Sequence, residues 1–241
     1  MIVFDSQTGY PLAFLLDNGY LTDFRTAAAG AVASKHLASQ EVQQVGVIGA
    51  GVQGRMQVQA LSFVRKFRHV KVYDHRTTNI VRYLEDMRGK VDADFSAAGT
   101  VRDAVRGSQI VITATPSREA LIDAAWVEPG THITALGSDG PHKQELDAQI
   151  LAKADRVFAD SIEQCIKLGE IHHAIKLDLL KREDIAGELG QVISGAIPGR
   201  QSANEITVCD LTGVGVQDAF IAALAFEKAN ASNAGQSFSS S

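Results

Sequence analysis

From residue 42 to about residue 161, short apolar runs alternate with amphipathic stretches, the pattern of parallel strands joined by crossover helices. Strands are predicted at residues 45–49, 70–74, 93–97, 110–115, 132–137 and 156–160. Met56, Ala60, Phe63 and Phe67 recur at helical spacing after the first strand, as do Ile80, Leu84 and Met87 after the second. Ahead of this region, apolar runs at residues 2–4 and 12–16 flank turn residues 6–9 and read as a hairpin too small to stand alone. Thr22 then offers an N-cap to an Ala-rich helix running to about residue 39. Beyond residue 161 the pattern predicts helices at 162–176 and 184–193, a strand at 205–209 and an apolar helix at 216–229. Residues 230–241, mostly Ser, Asn, Ala and Gly, read as a flexible tail. The fold class is α/β. A Rossmann-type, doubly wound, mostly parallel sheet is expected over residues 41–200, and a smaller discontinuous α+β domain over residues 1–40 and 201–229.

The loop after the first of these strands carries chemistry. Gly49-Ala50-Gly51-Val52-Gln53-Gly54 runs from a strand into a helix as G-x-G-x-x-G. In such a turn the first glycine allows the tight bend and the second lets backbone approach a pyrophosphate. The third lets helix pack on strand, with the helix N-terminus facing the phosphates. The next strand ends in Asp74, 25 residues after Gly49, where a carboxylate can accept from adenosine ribose hydroxyls. That acid favours NAD over NADP, although His75 and Arg76 follow at once and Arg76 would suit a 2′-phosphate, so NADP stays open. Thr113, Ala114 and Thr115, ending the fourth strand, are expected to border the nicotinamide or to serve as turn residues alone.

Composition narrows the partners. The 241 residues are 45% hydrophobic and 21% charged, with 23 Lys plus Arg against 28 Asp plus Glu and a net charge of −5. No basic excess is available to hold a polyanion, so nucleic acid is not an expected partner. No apolar run approaches the roughly 18 residues of a membrane span, and no signal-like start is visible, so a cytoplasmic protein is expected. Cys165 and Cys209 form no spaced framework and no metal-type pair, and each reads as a small buried apolar residue.

Two further residues are candidates for chemistry. Arg25 is expected in the first turn of the Thr22 helix, where the helix dipole disfavours a cation unless an anion binds. Its planar guanidinium suits a carboxylate, and the alternative is a solvated Arg paired with Asp23. Asp139, in Gly137-Ser138-Asp139-Gly140-Pro141, follows the fifth strand at the ligand-binding edge of the sheet. It is a candidate acid or base, or else a plain turn residue. His172 and His173 are adjacent, diverge on a helix and read as surface residues, while Glu170 and Glu188 have no partner that spacing identifies. No metal is expected.

Several segments together resemble the ornithine cyclodeaminase and mu-crystallin family. They are Asp17-Asn18-Gly19-Tyr20-Leu21-Thr22 leading to Arg25-Thr26-Ala27-Ala28, the glycine turn, and Gly137-Ser138-Asp139 with Lys143, Glu145 and Leu146. Gly187-Glu188-Leu189-Gly190, Gly199-Arg200 and the run from Asp210 through Gly213 and Gly215 to Asp218 complete the likeness. The resemblance implies hydride transfer with NAD(P) at the α-carbon of a small amino acid, with deamination of ornithine to proline and ammonia as the family's type reaction. It also implies a substrate-binding role for Arg25 at the carboxylate and a catalytic role for Asp139 in activating water or moving protons. A homodimer formed through the smaller domain is implied as well. The same likeness admits an imine reductase or amino-acid dehydrogenase acting on an acidic imine, alanine or an ectoine-breakdown product, and a non-catalytic NAD(P)-binding protein. His142 departs from the Gly frequent in the family. Members usually begin upstream of Met1 with further strands and an assisting lysine, so this chain is expected to lack that portion.

Overall fold

The computed structural model describes residues 1–238, and its central strands, β-branched and apolar, are buried along almost their whole length. Strands β1 (Ile2–Phe4) and β2 (Pro11–Phe14) pair antiparallel. Helix α1 (Tyr20–Leu37) follows, beginning two residues before the expected Thr22 cap. The Asp17 carboxylate accepts from the Leu21 N–H (2.8 Å), and Asn18 and Gly19 carry the positive φ that turns the chain into the helix. Arg25 therefore sits in the second turn rather than the first.

Next come β3 (Gln44–Ile48), α2 (Val52–Ser62), β4 (His69–Tyr73), α3 (Thr77–Met87), β5 (Asp94–Ala97), α4 (Val101–Val105), β6 (Ile110–Thr113), β7 (Arg118–Ile122), β8 (His132–Ala135) and β9 (Gln144–Leu146). They are followed by α5 (Gln149–Lys153), β10 (Arg156–Ala159), α6 (Ile162–Cys165), α7 (Gly169–Lys176), β11 (Ile185–Glu188), α8 (Leu189–Ile193), β12 (Thr207–Asp210) and α9 (Gly215–Ala231). All six expected central strands are present, shifted or trimmed at their ends. The pattern missed β7 and β9, which pair with each other as a two-stranded ribbon. It also read 184–193 as helix, whereas the segment is strand β11 running into the short α8. The helix expected at 162–176 breaks at Gly169, whose φ is +79°. The predicted tail starts inside α9, which continues to Ala231, and residues 239–241 lie outside the described residues.

The main sheet runs β11-β10-β12-β8-β6-β3-β4-β5, and every pairing in it is parallel. From β5 to β8 this is the Rossmann order 3-2-1-4-5; the sixth place is taken by β12, which follows β10 and β11 in the chain, and those two strands lie beyond it at the edge. Both faces are covered. Val45, Val47, Val70, Val72, Ile110 and Ile112 belong to one apolar cluster, and Val111, Ile133, Val157 and Val208 to another. Neighbours such as Ile110, Val111 and Ile112 thus bury on opposite sides, as strands between two helix layers must.

The chain divides into two compact units, Met1–Arg25 with Val214 onward, and Thr26–Gly213. These boundaries differ from the expected 40/41 and 200/201. The last strand, entirely buried, completes the main sheet between β10 and β8, and Ala31, Ala33 and Leu37 of α1 are buried too. In the smaller unit β1, β2 and the start of α1 join α9, which packs on β1. Among the described residues no helix is long and apolar enough to cross a membrane.

Candidate active site

The site is built where β3 gives way to α2, at the point where strand order reverses between β3 and β6. Gly49 adopts φ +108°, and a Cβ there would lie 2.5 Å from the Ala114 carbonyl oxygen, so both backbone and space demand glycine. A Cβ on Gly54 would collide with the Gly49 carbonyl, which is how α2 seats so closely on its strand. Gly51 is different: a Cβ there would meet nothing within 4 Å. Packing leaves that place open on the ligand side, at an α2 N-terminus with neither an acidic residue in its first turn nor a side-chain cap. The turn is a fitting cradle for a pyrophosphate.

Asp74, just past β4, is nearly buried and braces this turn. Its Oδ2 accepts from the Ala50 N–H at 3.0 Å, and its Oδ1 accepts from the Arg76 N–H at 2.9 Å and from the Asn79 amide at 3.0 Å. His75 Nδ1 lies 3.4 Å from Oδ1, and the His75 and Arg76 side chains are exposed. Asn79 was not singled out in the sequence; its signal was its place five residues after an Asp that ends a strand. A cavity of about 460 Å³ adjoins this group, lined in part by Ala50, Gly51, Val52, Arg55 and Asn79.

On the other side of the reversal point, β6 ends at Thr113 and leads into Ala114 and Thr115, and β8 leads through Leu136 into Gly137, Ser138 and Asp139. Asp139 is exposed, and its Oδ1 accepts from the Lys143 ammonium at 2.6 Å. Ser138 donates to the Lys143 carbonyl (2.5 Å), and His173 Nε2 lies 2.7 Å from the same oxygen. His172 Nδ1 is 3.0 Å from the Ile166 carbonyl oxygen. Both histidines are half-buried, in correction of the surface reading, because each anchors a backbone carbonyl; burial pushes the His173 pKa down.

Beneath these loops lie three buried carboxyl groups, Glu145, Glu170 and Asp210. Glu145 accepts from the Thr115 N–H at 2.6 Å and the Gly137 N–H at 2.8 Å. Glu170 accepts from the N–H groups of Glu145 and Leu146, at 2.8 and 3.2 Å, and Asp210 from that of Ile171 at 2.9 Å. Burial raises the pKa of each, most strongly for Glu170 and Asp210, where neighbouring carboxylates add to it. The hydrogen bonds to Glu145 oppose its shift. Glu188, likewise unassigned from sequence, accepts from the Ile162 N–H at 2.9 Å. No spacing rule finds such partners, because each bond joins segments 24 to 39 residues apart. Cys165 and Cys209 are buried and free, as expected.

The main unit therefore gathers the glycine turn, Asp74, Thr113, Ala114, Thr115 and Asp139 at the carboxyl ends of four adjoining strands. Arg25 belongs to the smaller unit. Its ion pair runs not to Asp23 but to Asp218 (Nε to Oδ1, 3.0 Å), and its Nη1 donates to the Gln217 amide oxygen at 3.1 Å. Both partners stand in the first turn of α9, which explains a half-buried guanidinium that sequence neighbours alone leave unaccounted for.

The chain and its fold have known relatives. The model of the ornithine cyclodeaminase/mu-crystallin family matches residues 1–233, and the chain belongs to that family. It is 46% identical to an uncharacterized cyclodeaminase of Sinorhizobium fredii over 100% of this chain and 72% of the relative. It is also 41% identical to an alanine dehydrogenase of Archaeoglobus fulgidus over 98% of this chain and 71% of the relative. The structure of Δ(1)-pyrroline-2-carboxylate reductase of Thermococcus litoralis, in complex with NADH and L-proline, superposes with a TM-score of 0.94 at 34% identity. That superposition covers 98% of this chain and 73% of the other.

Proposed function

We propose that this chain is an NAD-dependent enzyme that catalyses hydride transfer at the α-carbon of a small amino acid or of the corresponding imine. The observation that carries the reading is the open place at Gly51, in a turn whose first and third glycines have no room for a Cβ, at the reversal point of a Rossmann sheet. Gly49, Ala50, Gly51, Val52, Gln53 and Gly54 would hold the pyrophosphate, Asp74 the adenosine ribose with His75 and Arg76 beside it, and Thr113, Ala114 and Thr115 the nicotinamide end. NAD bound there supplies a hydride donor or acceptor. Arg25 grips the substrate carboxylate in two oxygens, and Asp139, salt-bridged to Lys143, moves a proton at the reacting carbon.

Between net redox chemistry and cyclodeamination, likeness to an alanine dehydrogenase and a pyrroline-carboxylate reductase supports the former. Likeness to the uncharacterized Sinorhizobium cyclodeaminase supports cyclodeamination, for which ornithine is the substrate to test first. One assay separates them. With NADH and Δ(1)-pyrroline-2-carboxylate, or with pyruvate and ammonium, a net reductase consumes reduced nicotinamide steadily. A cyclodeaminase instead releases ammonia from ornithine with no net change in NADH. Neither signal, with NADH bound, would leave a non-catalytic binder.

A second copy of the chain is the proposed partner. Ile2, Phe4, Leu12, Phe14 and Leu16 on the β1–β2 hairpin are all exposed, an apolar surface of the kind that a dimer covers. Light scattering should then give twice the chain mass, and a monomer at micromolar concentration would refute the dimer.

A further inference from the structure

Resting on the NAD reading above, we propose that Glu145 is a positioning residue for the nicotinamide end of the cofactor, its carboxylate setting the spacing between the segment after β6 and the segment after β8. The two segments touch: a Cβ at Gly137 would collide with the Thr115 carbonyl and lie 2.5 Å from the Glu145 carboxyl group. At this contact Glu145 offers one oxygen to the Thr115 N–H and the other to the Gly137 N–H. It is fully buried, so no water substitutes for either bond. Two converging N–H donors need two acceptors on one rigid planar group, and a carboxylate supplies them. An amide in its place would turn an NH₂ towards one of the donors.

Glu145 is itself held from behind. The Glu170 carboxylate takes the N–H groups of Glu145 and Leu146, and the helix carrying Glu170 is fixed through the Ile171 N–H by Asp210 at the end of β12. The bridge therefore stands on a chain of buried contacts from β12 to β6. Glu145 lies below the loops and acts through them. Its hydrogen bonds go to the segments after β6 and β8, whereas the side chains that hold the pyrophosphate turn are Asp74, at the Ala50 N–H, and Arg55, at the Ala50 carbonyl.

The experiment uses two ligands that share the adenosine and pyrophosphate but differ at the other end, NADH and ADP-ribose. Both are titrated calorimetrically against the wild-type chain, Glu145→Gln and Glu145→Asp. Aspartate keeps the charge but is too short to bridge both N–H groups, and it decides the matter if the Gln variant does not fold. The expected result is NADH affinity lowered about tenfold or more with ADP-ribose affinity within about twofold of wild type, the loss being that of a charge-assisted hydrogen bond. A merely structural role would weaken both ligands equally. That outcome, unchanged NADH affinity in the variants, or a wild type that binds the two ligands equally well, overturns the proposal and leaves the NAD reading standing. A wild-type chain that binds neither ligand overturns both.

Discussion

His132 offers the sharpest test of how this interior was assembled. It lies in the middle of the main sheet, fully buried, with Nδ1 2.9 Å from the Thr207 hydroxyl and Nε2 3.0 Å from the Thr134 hydroxyl. Burial, and then the nearby Arg200, push its pKa down to about 3. The unfolded chain binds this proton below its ordinary value of about 6.5, whereas the folded chain refuses it until about 3. Acid thus favours the unfolded state, and stability is lost as pH falls from about 6.5 towards 3. At pH 5 the ring is about 1.5 pH units below the unfolded pKa, which corresponds to about 2 kcal/mol. The buried Glu145, Glu170 and Asp210 act in the opposite sense, with raised folded pKa values that penalise the folded state as pH rises. They are common to wild type and variant and cancel in the comparison. Urea unfolding followed by Trp126, the only tryptophan and a residue of the main unit, should show the wild type losing about 2 kcal/mol more than His132→Gln between pH 7.5 and pH 5. The variant itself costs about 1 to 3 kcal/mol at pH 7.5. Parallel pH profiles for the two proteins would refute the argument.

Other expectations follow from local geometry. Gly51→Ala, whose Cβ meets no protein atom, should leave the urea midpoint unchanged while lowering NADH affinity at least about tenfold; undiminished binding would remove the pyrophosphate from this turn. Gly169→Ala should cost about 2 kcal/mol or more, because φ is +79° and the new Cβ would lie 2.5 Å from the Asp210 carboxylate. The control Gly190→Ala, in open space within a helix, should be neutral or slightly stabilising. Asp74→Asn should raise NADPH affinity relative to NADH; an unchanged ratio would deny Asp74 a part in selecting between them. Arg25→Ala should raise KM for the amino acid or imine and leave the NADH Kd unchanged.

The sheet was legible because its signal is local. Val45, Val47, Val70, Val72, Ile110 and Ile112 are apolar within short runs bounded by turns, and G-x-G-x-x-G announces itself in six consecutive residues. Elements that depend on distant partners were not legible. Strand β7, Arg118-Glu119-Ala120-Leu121-Ile122, has little strand pattern and pairs with β9 only because the chain returns 24 to 26 residues later. Strand β11 contains Gly187 at φ +143°, a residue that reads as a break, and its edge position supplies the pairing that its composition does not. At the site, Gly49, Asp74 and Asp139 could be named from motif and strand order. Glu145, visible only as part of a family likeness, and Glu170 and Asn79 could be given no role, because their significance lies in the partners that the fold brings to them.

The place of β12 in the sheet bears on how the protein is made. Thr207–Asp210 is the last strand among the described residues, yet it lies between β10 and β8, both synthesised dozens of residues earlier. Until it emerges, β11 and β10 have no partner connecting them to the other five strands, and a slot lined by unpaired backbone groups stays open through the interior. A nascent chain therefore stays half-zipped until a segment made dozens of residues after β10 arrives, and in that interval its unpaired edges are open to misassembly.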